Sequence, residues 1–228
     1  GTDSATCDAI FRDCGGFRMG PFELMDLIGL DVNYKVTTQV WESFDRHPRF
    51  EPSRIQQNLV DSGKLGRKSG QGFYDYSTGT ETPDTENLPE CQPPDSIIIE
   101  GTEQLPESLV RLLKTGTASI KSTLGSGKIR LPEGGIVVLS NGKSSEERSL
   151  ENGDLVISLD LCLDYQHSPR VTLAADSNCP ENILNKAAGL FQSFGKQVSL
   201  IKDIPGMVLT RTVAMLVNEA VSYTHLRA

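Results

Sequence analysis

The apolar positions of this chain change their period part-way along its length, and the change divides the chain into parts. ATCDAIFRD, residues 5–13, reads as a short helix that stops at Gly15-Gly16. A second segment, PFELMDLI, follows the turn GGFRMG. Gly20 suits its N-cap, Pro21 its first helical position with φ already set, and Glu23 the first turn, where a negative charge meets the helix dipole. Phe22, Leu24, Met25, Leu27 and Ile28 leave few polar faces, which predicts a short, mostly buried helix ending at Gly29. From near Asp31 another helix is expected, because Val32, Val36, Val40 and Phe44 recur every four residues and Trp41 widens the stripe. The two prolines of HPRFEPS end it. SRIQQNLVDSG then offers a capping box, Ser53 with Gln56, and a stop at Gly63. KLGRKSGQGFYDY is a glycine-rich loop that finishes in alternating aromatics. Residues 1–76 therefore read as a compact all-helical unit.

Residues 77–95 (STGTETPDTENLPECQPPD) are polar, acidic and proline-rich, the composition of a linker. Beyond them β-branched runs appear: SIIIEG, GGIVVLS, LVISLDLCL and RVTLAA. They alternate with the helical patterns LPESLVRLLKTGTASI and PENILNKAAGLFQSFG, which predicts an α/β layer built largely of parallel strands. TRTVAMLVNEA resumes the helical character.

Charge and cysteine usage narrow the function classes. A net charge of −8 leaves no basic excess to neutralise phosphates, so a nucleic-acid partner is not expected. No apolar window is long enough to span a membrane, and no secretory leader pattern is present. The five cysteines are widely spaced and never form C-x-x-C, which suits free thiols in a reducing cytoplasm better than disulfides or zinc. His47, His167 and His225 are isolated, so no metal site is expected.

Catalytic patterns are scarce. Neither GGFRMG nor GSGKIRLPEGG matches the dinucleotide fingerprint, LGSGKI lacks the spacing of a P-loop, and no G-x-S-x-G elbow occurs. Glu23 and Asp26 share a helix face, as a carboxylate pair or as ordinary first-turn acids. Lys64, Arg67 and Lys68 form either a phosphate-meeting cluster or a solvated loop. Phe73, Tyr74 and Tyr76 are stacking surfaces or packing anchors. Taken alone, the residues give a helical module, a linker and an α/β module with no visible catalytic set.

GGFRMGPFELMDLIGLDV followed by GRKSGQGFYDY closely resembles the C-terminal helical domain of the NAD-dependent 3-hydroxyacyl-CoA dehydrogenases. The later stretch ENILNKAAGLFQSFGKQVSLIKDIPGMVLTRTVAMLVNEA is similar to the end of the family's nucleotide domain and the first helix of another helical domain. The resemblance implies a long, duplicated member, of the kind that oxidises 3-hydroxybutyryl- or 3-hydroxyadipyl-CoA in aromatic-acid breakdown. It implies a multi-domain α and α/β fold: residues 1–76 a helical domain truncated at its N-terminus, 77–95 a linker, 96–204 a degenerate Rossmann-like domain, 205–221 the start of a truncated second helical domain, and 222–228 a foreign tail.

The same resemblance implies an acyl-CoA substrate, with NAD and the family's catalytic histidine, glutamate and serine held by a domain preceding Gly1. No catalytic or cofactor-binding residue is thus expected in this chain, and the piece alone is expected to be inactive. Where the family carries His-Phe-Phe-Asn-Pro in its nucleotide domain, this sequence reads LDLCLDYQHSP, so His167 is taken as a loop histidine. The family's asparagine at the crossing falls on Thr210. Carried over position by position, Met19, Gly20, Pro21 and Met25 would wall the acyl pocket, while Phe22, Leu24 and Ile28 fill the core. The second unit would serve to bury the apolar face of the first, as a pseudo-dimer within one chain or through a homodimer of helical domains. The alternative is a helical dimerisation or interaction module without catalysis.

Overall fold

In a computed structural model the described residues are 2–77, 79, 85–116 and 118–226, and the chain forms two compact units. Ser4–Asp8 and Arg18–Thr85 make a helical unit, while Gly1–Asp3, Ala9–Phe17 and Glu86–Ala228 make an α/β unit. Residues 9–17, read from sequence as part of the helical stretch, thus belong to the α/β unit.

The helical unit takes the first turn of α1 (Ser4–Asp13), then α2 (Pro21–Ile28), α3 (Leu30–Ser43) and α4 (Arg54–Asp61), with short 3-10 turns at Pro48–Phe50 and Arg67–Ser69. Helix α2 starts as its sequence predicts: Gly20 is the N-cap, Pro21 opens the helix, and the Glu23 carboxylate accepts from the Gly20 N–H at 3.2 Å. The expectation that α2 is mostly buried is wrong. Leu24, Leu27 and Ile28 are 45%, 49% and 48% exposed, and the residue α2 buries is Asp26. Leu24, Leu27 and Ile28 lie three and four apart and share one face, so burying Asp26 turns that face outward. The valine stripe of α3 is exposed as well, at Val32, Val36, Val40 and Phe44. Ser53 caps α4, but its side chain makes no capping bond, and Gln56 is buried rather than reaching back to complete a capping box.

The α/β unit is built on a seven-stranded sheet with strand order β2-β1-β3-β4-β5-β6-β7. Its strands are β1 (Ser96–Glu100), β2 (Ser119–Thr123), β3 (Lys128–Arg130), β4 (Ile136–Leu139), β5 (Val156–Leu159), β6 (Arg170–Ala175) and β7 (Gln197–Leu200). The expected, largely parallel sheet is corrected to a mixed one. The pairs β1/β2, β4/β5 and β6/β7 are parallel, and β1/β3, β3/β4 and β5/β6 are antiparallel. Each parallel pair is joined by a helix: α5 (Glu107–Lys114), α6 (Ser145–Asn152) and α7 (Glu181–Gln192). A crossover helix carries the chain back to the starting edge, whereas connections without one leave neighbours antiparallel. Of the stretch TASI, read as the end of a helix, Ser119 and Ile120 belong to strand β2, and residue 117 lies outside the described residues.

Ile97, Ile99, Val137, Ile157, Leu159, Leu173 and Val198 interdigitate with Leu109, Leu113, Leu190 and Phe191 in one core cluster. The second half of the predicted linker is ordered packing. Leu88 N–H donates to the Val198 carbonyl at 2.8 Å, and Gln192 on α7 bonds Cys91 N–H and the Pro89 carbonyl. In its first half, residues 78 and 80–84 lie outside the described residues. Helix α8 (Leu209–Leu226) closes the unit, so the backbone of residues 222–226, expected to be a foreign tail, continues that helix; residues 227–228 lie outside the described residues. Among the described residues no helix is long and apolar enough to cross a membrane.

Candidate functional site

The two sequence motifs of the helical unit are fastened together by two buried carboxylates. Asp8, on the first turns of α1, accepts from Phe22 N–H at 2.9 Å and Glu23 N–H at 2.8 Å, so it caps α2 from outside that helix. It also accepts from the Tyr74 hydroxyl at 2.6 Å. Burial pushes the Asp8 carboxyl up, against the opposing pull of the Tyr74 hydroxyl and the two amides. Burial and the neighbouring Asp8 raise the Tyr74 phenol in turn. A Cβ on Gly20 would come within 2.2 Å of the Asp8 carboxylate carbon, so the residue before Pro21 has to be glycine.

Asp26 does the same for the glycine-rich loop. Its carboxylate accepts from Phe73 N–H at 2.9 Å, Tyr74 N–H at 3.0 Å and the Tyr76 hydroxyl at 3.0 Å. Burial, then Asp26, push the Tyr76 phenol up to about 12. Gly72 lies so close that a Cβ there would meet Asp26 Oδ1 at 2.2 Å. Glu23 and Asp26 therefore do not form a catalytic pair: one returns to its own N-cap and the other is consumed by the loop. Lys68 pairs with Asp31 at 2.5 Å, holding that carboxyl below its usual range, and Arg67 lies over the Tyr76 ring. Phe73 packs edge-on against Phe22 with ring centroids 4.7 Å apart. The loop's aromatics are anchors.

Beside this junction lies a cavity of about 370 Å³, walled by Phe22, Met25, Ile55 and Phe73 and lined on its polar side by Asn33, Thr37 and Gln56. Of the four carried-over substrate residues, Met25 faces this cavity; Met19, Gly20 and Pro21 form the turn that leads into α2. Gln56 Nε2 donates to Asn33 Oδ1 at 2.8 Å and lies 2.7 Å from Met25 Sδ, so an amide pair fixes the floor under the methionine. Sequence reading missed Asn33, Thr37 and Gln56. The signal was available for two of them, because Asn33 and Thr37 are a polar pair four apart within the valine-rich helix.

In the α/β unit, the chain leaving β4 enters α6 at the position where a dinucleotide fold would present amides to a pyrophosphate. Those amides are already bonded. Asp203 accepts from Ser145 N–H at 2.8 Å and Glu146 N–H at 3.0 Å, and Ser144 Oγ accepts from Glu147 N–H. A cavity of about 630 Å³ alongside is lined by Glu146, Asp176 and Asp203 against Lys202. The residues present do not fit the diphosphate of NAD, because a fixed carboxylate holds the anion's place. His167 stands exposed with Nδ1 2.7 Å from Asp164 Oδ2, and Thr210 is engaged in capping α8, its hydroxyl donating to Asp160 Oδ1 at 2.7 Å. Neither side chain lines either of the two cavities described above. Among the described residues no group of three or more acidic, histidine or cysteine side chains forms a metal cage.

Residues 1–76 match the family described as 3-hydroxyacyl-CoA dehydrogenase, C-terminal domain, and residues 137–205 match the 3-hydroxybutyryl-CoA dehydrogenase reduced Rossmann-fold domain. Along 213 residues the chain is 34% identical to the 3-hydroxyadipyl-CoA dehydrogenase of Escherichia coli K12, covering 93% of this chain and 39% of that protein. The chain is homologous to the 3-hydroxyadipyl- and 3-hydroxybutyryl-CoA dehydrogenases over most of its length. The crystal structure of 3-hydroxybutyryl-CoA dehydrogenase from Escherichia coli K12 superposes with a TM-score of 0.75 at 32% identity, covering 96% of this chain and 40% of that one. The mitochondrial hydroxyacyl-coenzyme A dehydrogenase of Rattus norvegicus is 48% identical over 70 residues, 30% of this chain and 22% of that protein. The chain thus spans about two-fifths of the length of the relatives that match nearly all of it.

Proposed function

We propose that this chain is the acyl-receiving helical unit, with an attached non-catalytic α/β unit, of a cytoplasmic NAD-dependent enzyme that oxidises (S)-3-hydroxyacyl-CoA to 3-oxoacyl-CoA. The observation that carries this reading is the turn at Gly20-Pro21. The buried Asp8 carboxylate holds it through the Phe22 and Glu23 amides, near a cavity lined by Met25, and it lies in the segment that matches the 3-hydroxyacyl-CoA dehydrogenase C-terminal domain. Met19, Gly20, Pro21 and Met25 wall the acyl chain. A glycine-proline entry brings backbone close to a ligand without side-chain bulk, and methionine adapts to apolar chains of different shape.

Hydride transfer belongs to a nucleotide domain elsewhere in the protein, and Asp203 at the start of α6 supports keeping NAD out of this α/β unit. In the enzyme that carries this chain, Pro21→Ala should raise KM for a short acyl-CoA more than it lowers kcat. An unchanged KM would remove the turn from the substrate site.

The exposed apolar face of α2 and α3 favours an additional role in assembly. Leu24, Leu27, Ile28, Val36 and Phe44 are all exposed, and a second helical unit of the same kind would cover them. Light scattering should therefore return twice the mass of one chain for the isolated protein, and a monomer carrying Val36→Lys. A single-chain mass for the unsubstituted protein would refute this pairing.

A further inference from the structure

The core of the α/β unit contains a pair of cysteines that the proposed reaction does not use. Cys14 follows the last turn of α1 and is 2% exposed; Cys162 follows β5 and is 5% exposed. Both belong to the main apolar cluster. The two segments are held side by side by the backbone, since Leu163 N–H donates to the Cys14 carbonyl at 2.8 Å. The two thiols act on each other electrostatically, the Cys14 thiol being pushed up and the Cys162 thiol drawn down. Cys14 Sγ also lies 3.4 Å from the Arg170 carbonyl.

The surroundings are unusual for a core. Lys196 is buried beside the pair, its ammonium fixed on the carbonyls of Gln166 at 2.8 Å and Ser168 at 2.5 Å. Cys14 first, then the Ser168 hydroxyl and the Lys196 charge, pull the Cys162 thiol below its usual range, even though burial opposes it. Cysteine in a core ordinarily behaves as a small apolar residue with a raised pKa. Cys91 and Cys179 follow that rule: burial pushes both thiols up.

We propose that Cys14 and Cys162 are a redox pair, oxidised by a hydroperoxide to a disulfide that ties the end of α1 to the segment after β5. The Cys162 thiolate attacks one peroxide oxygen, the O–O bond breaks, and a sulfenic acid and hydroxide are formed. The Cys14 sulfur then attacks the Cys162 sulfur, its proton leaves with the departing hydroxyl as water, and the S–S bond closes. Two thiols and one hydrogen peroxide give one disulfide and two waters, the two electrons passing from sulfur to oxygen. The two segments are already joined by the Leu163–Cys14 backbone bond, so closure needs a rotation of two side chains rather than a movement of the sheet. The bridge would span about 150 residues of chain, the long-loop case in which a cross-link restricts the unfolded state most.

The test is oxidation of the whole chain under native conditions with a small excess of hydrogen peroxide, then alkylation in denaturant and mass measurement. Alkylatable cysteines should fall from five to three with a loss of two hydrogens, and trypsin should release residues 13–18 cross-linked to residues 149–170. The thermal midpoint should rise by several degrees and return on adding dithiothreitol. Cys14→Ser should leave Cys162 as a sulfenic acid trapped by dimedone. A peptide map in which Cys14 and Cys162 stay reduced while Cys7, Cys91 or Cys179 is oxidised would overturn the proposal, as would Cys162 passing to sulfinic acid without joining Cys14. The map of the unsubstituted protein decides the matter even if Cys14→Ser fails to fold.

Discussion

Asp26→Ala should cost the helical unit about 3–5 kcal/mol and free the glycine-rich loop from α2. The carboxylate is 1% exposed and accepts from two backbone amides and a tyrosine hydroxyl. Truncating it leaves those donors facing a space that water fills poorly, and each buried amide without a partner costs about 1–3 kcal/mol. A loss of this size is a large part of the roughly 5–15 kcal/mol that holds a domain folded. Hydrogen exchange reports it locally, because the Phe73 and Tyr74 amides lose their acceptor together. Asp26→Asn keeps one oxygen and should recover part of the loss while setting an NH₂ against a donor. Unchanged protection of both amides in Asp26→Ala would show that the loop is held by something else, such as the Phe22–Phe73 contact.

The second large effect is expected at Arg170. Its guanidinium is nearly sealed, with Nε 2.9 Å from Asp13 Oδ2 and the other nitrogens on Asn87, Ser199 and Gln197. It joins the end of α1, the segment after Thr85 and strand β7 at one point. Arg170→Met removes one partner of a buried ion pair, a change that typically costs about 3–5 kcal/mol because the remaining groups lose their counter-charge. For a unit of this size the thermal midpoint should drop by about 10 °C. Arg170→Lys should fall between the two, since an ammonium restores charge but not the planar fork. Equal midpoints for Arg170→Lys and Arg170→Met would mean that charge contributes nothing there.

The signals that lie close together in sequence were the readable ones. Gly20, Pro21 and Glu23 announce the start of α2 because a cap, a fixed φ and a first-turn acid act within four residues. Asp26 was opaque because its partners are 47 to 50 positions away, and on the helix alone it looks like one more acid in an early turn. The valine stripe of α3 was readable as a stripe, while the apolar residues of α2 were wrongly taken as mostly buried: a run of apolar positions shows that a face exists, not what covers it. Helix α6 escaped notice because SEERSLEN has no apolar stripe, although its capping box, Ser144 with Glu147, was there to be read. Strand β2 was hidden because SIKST is a largely exposed edge strand without alternating burial. The cavity under Met25 needed the fold, since Gln56 reaches Asn33 across 23 residues of chain.

The bond between Leu88 and Val198 has a wider meaning for how this protein endures in a crowded solution. Strand β7 is one border of the sheet, and a border strand with open carbonyls invites any passing chain to add itself. Here the polypeptide lays its own preceding segment along that border, with prolines at 89 and 93 that cannot donate a further ladder bond. What composition presents as a tether is, along its second half, a selvedge that keeps the fabric of the sheet from being extended by strangers.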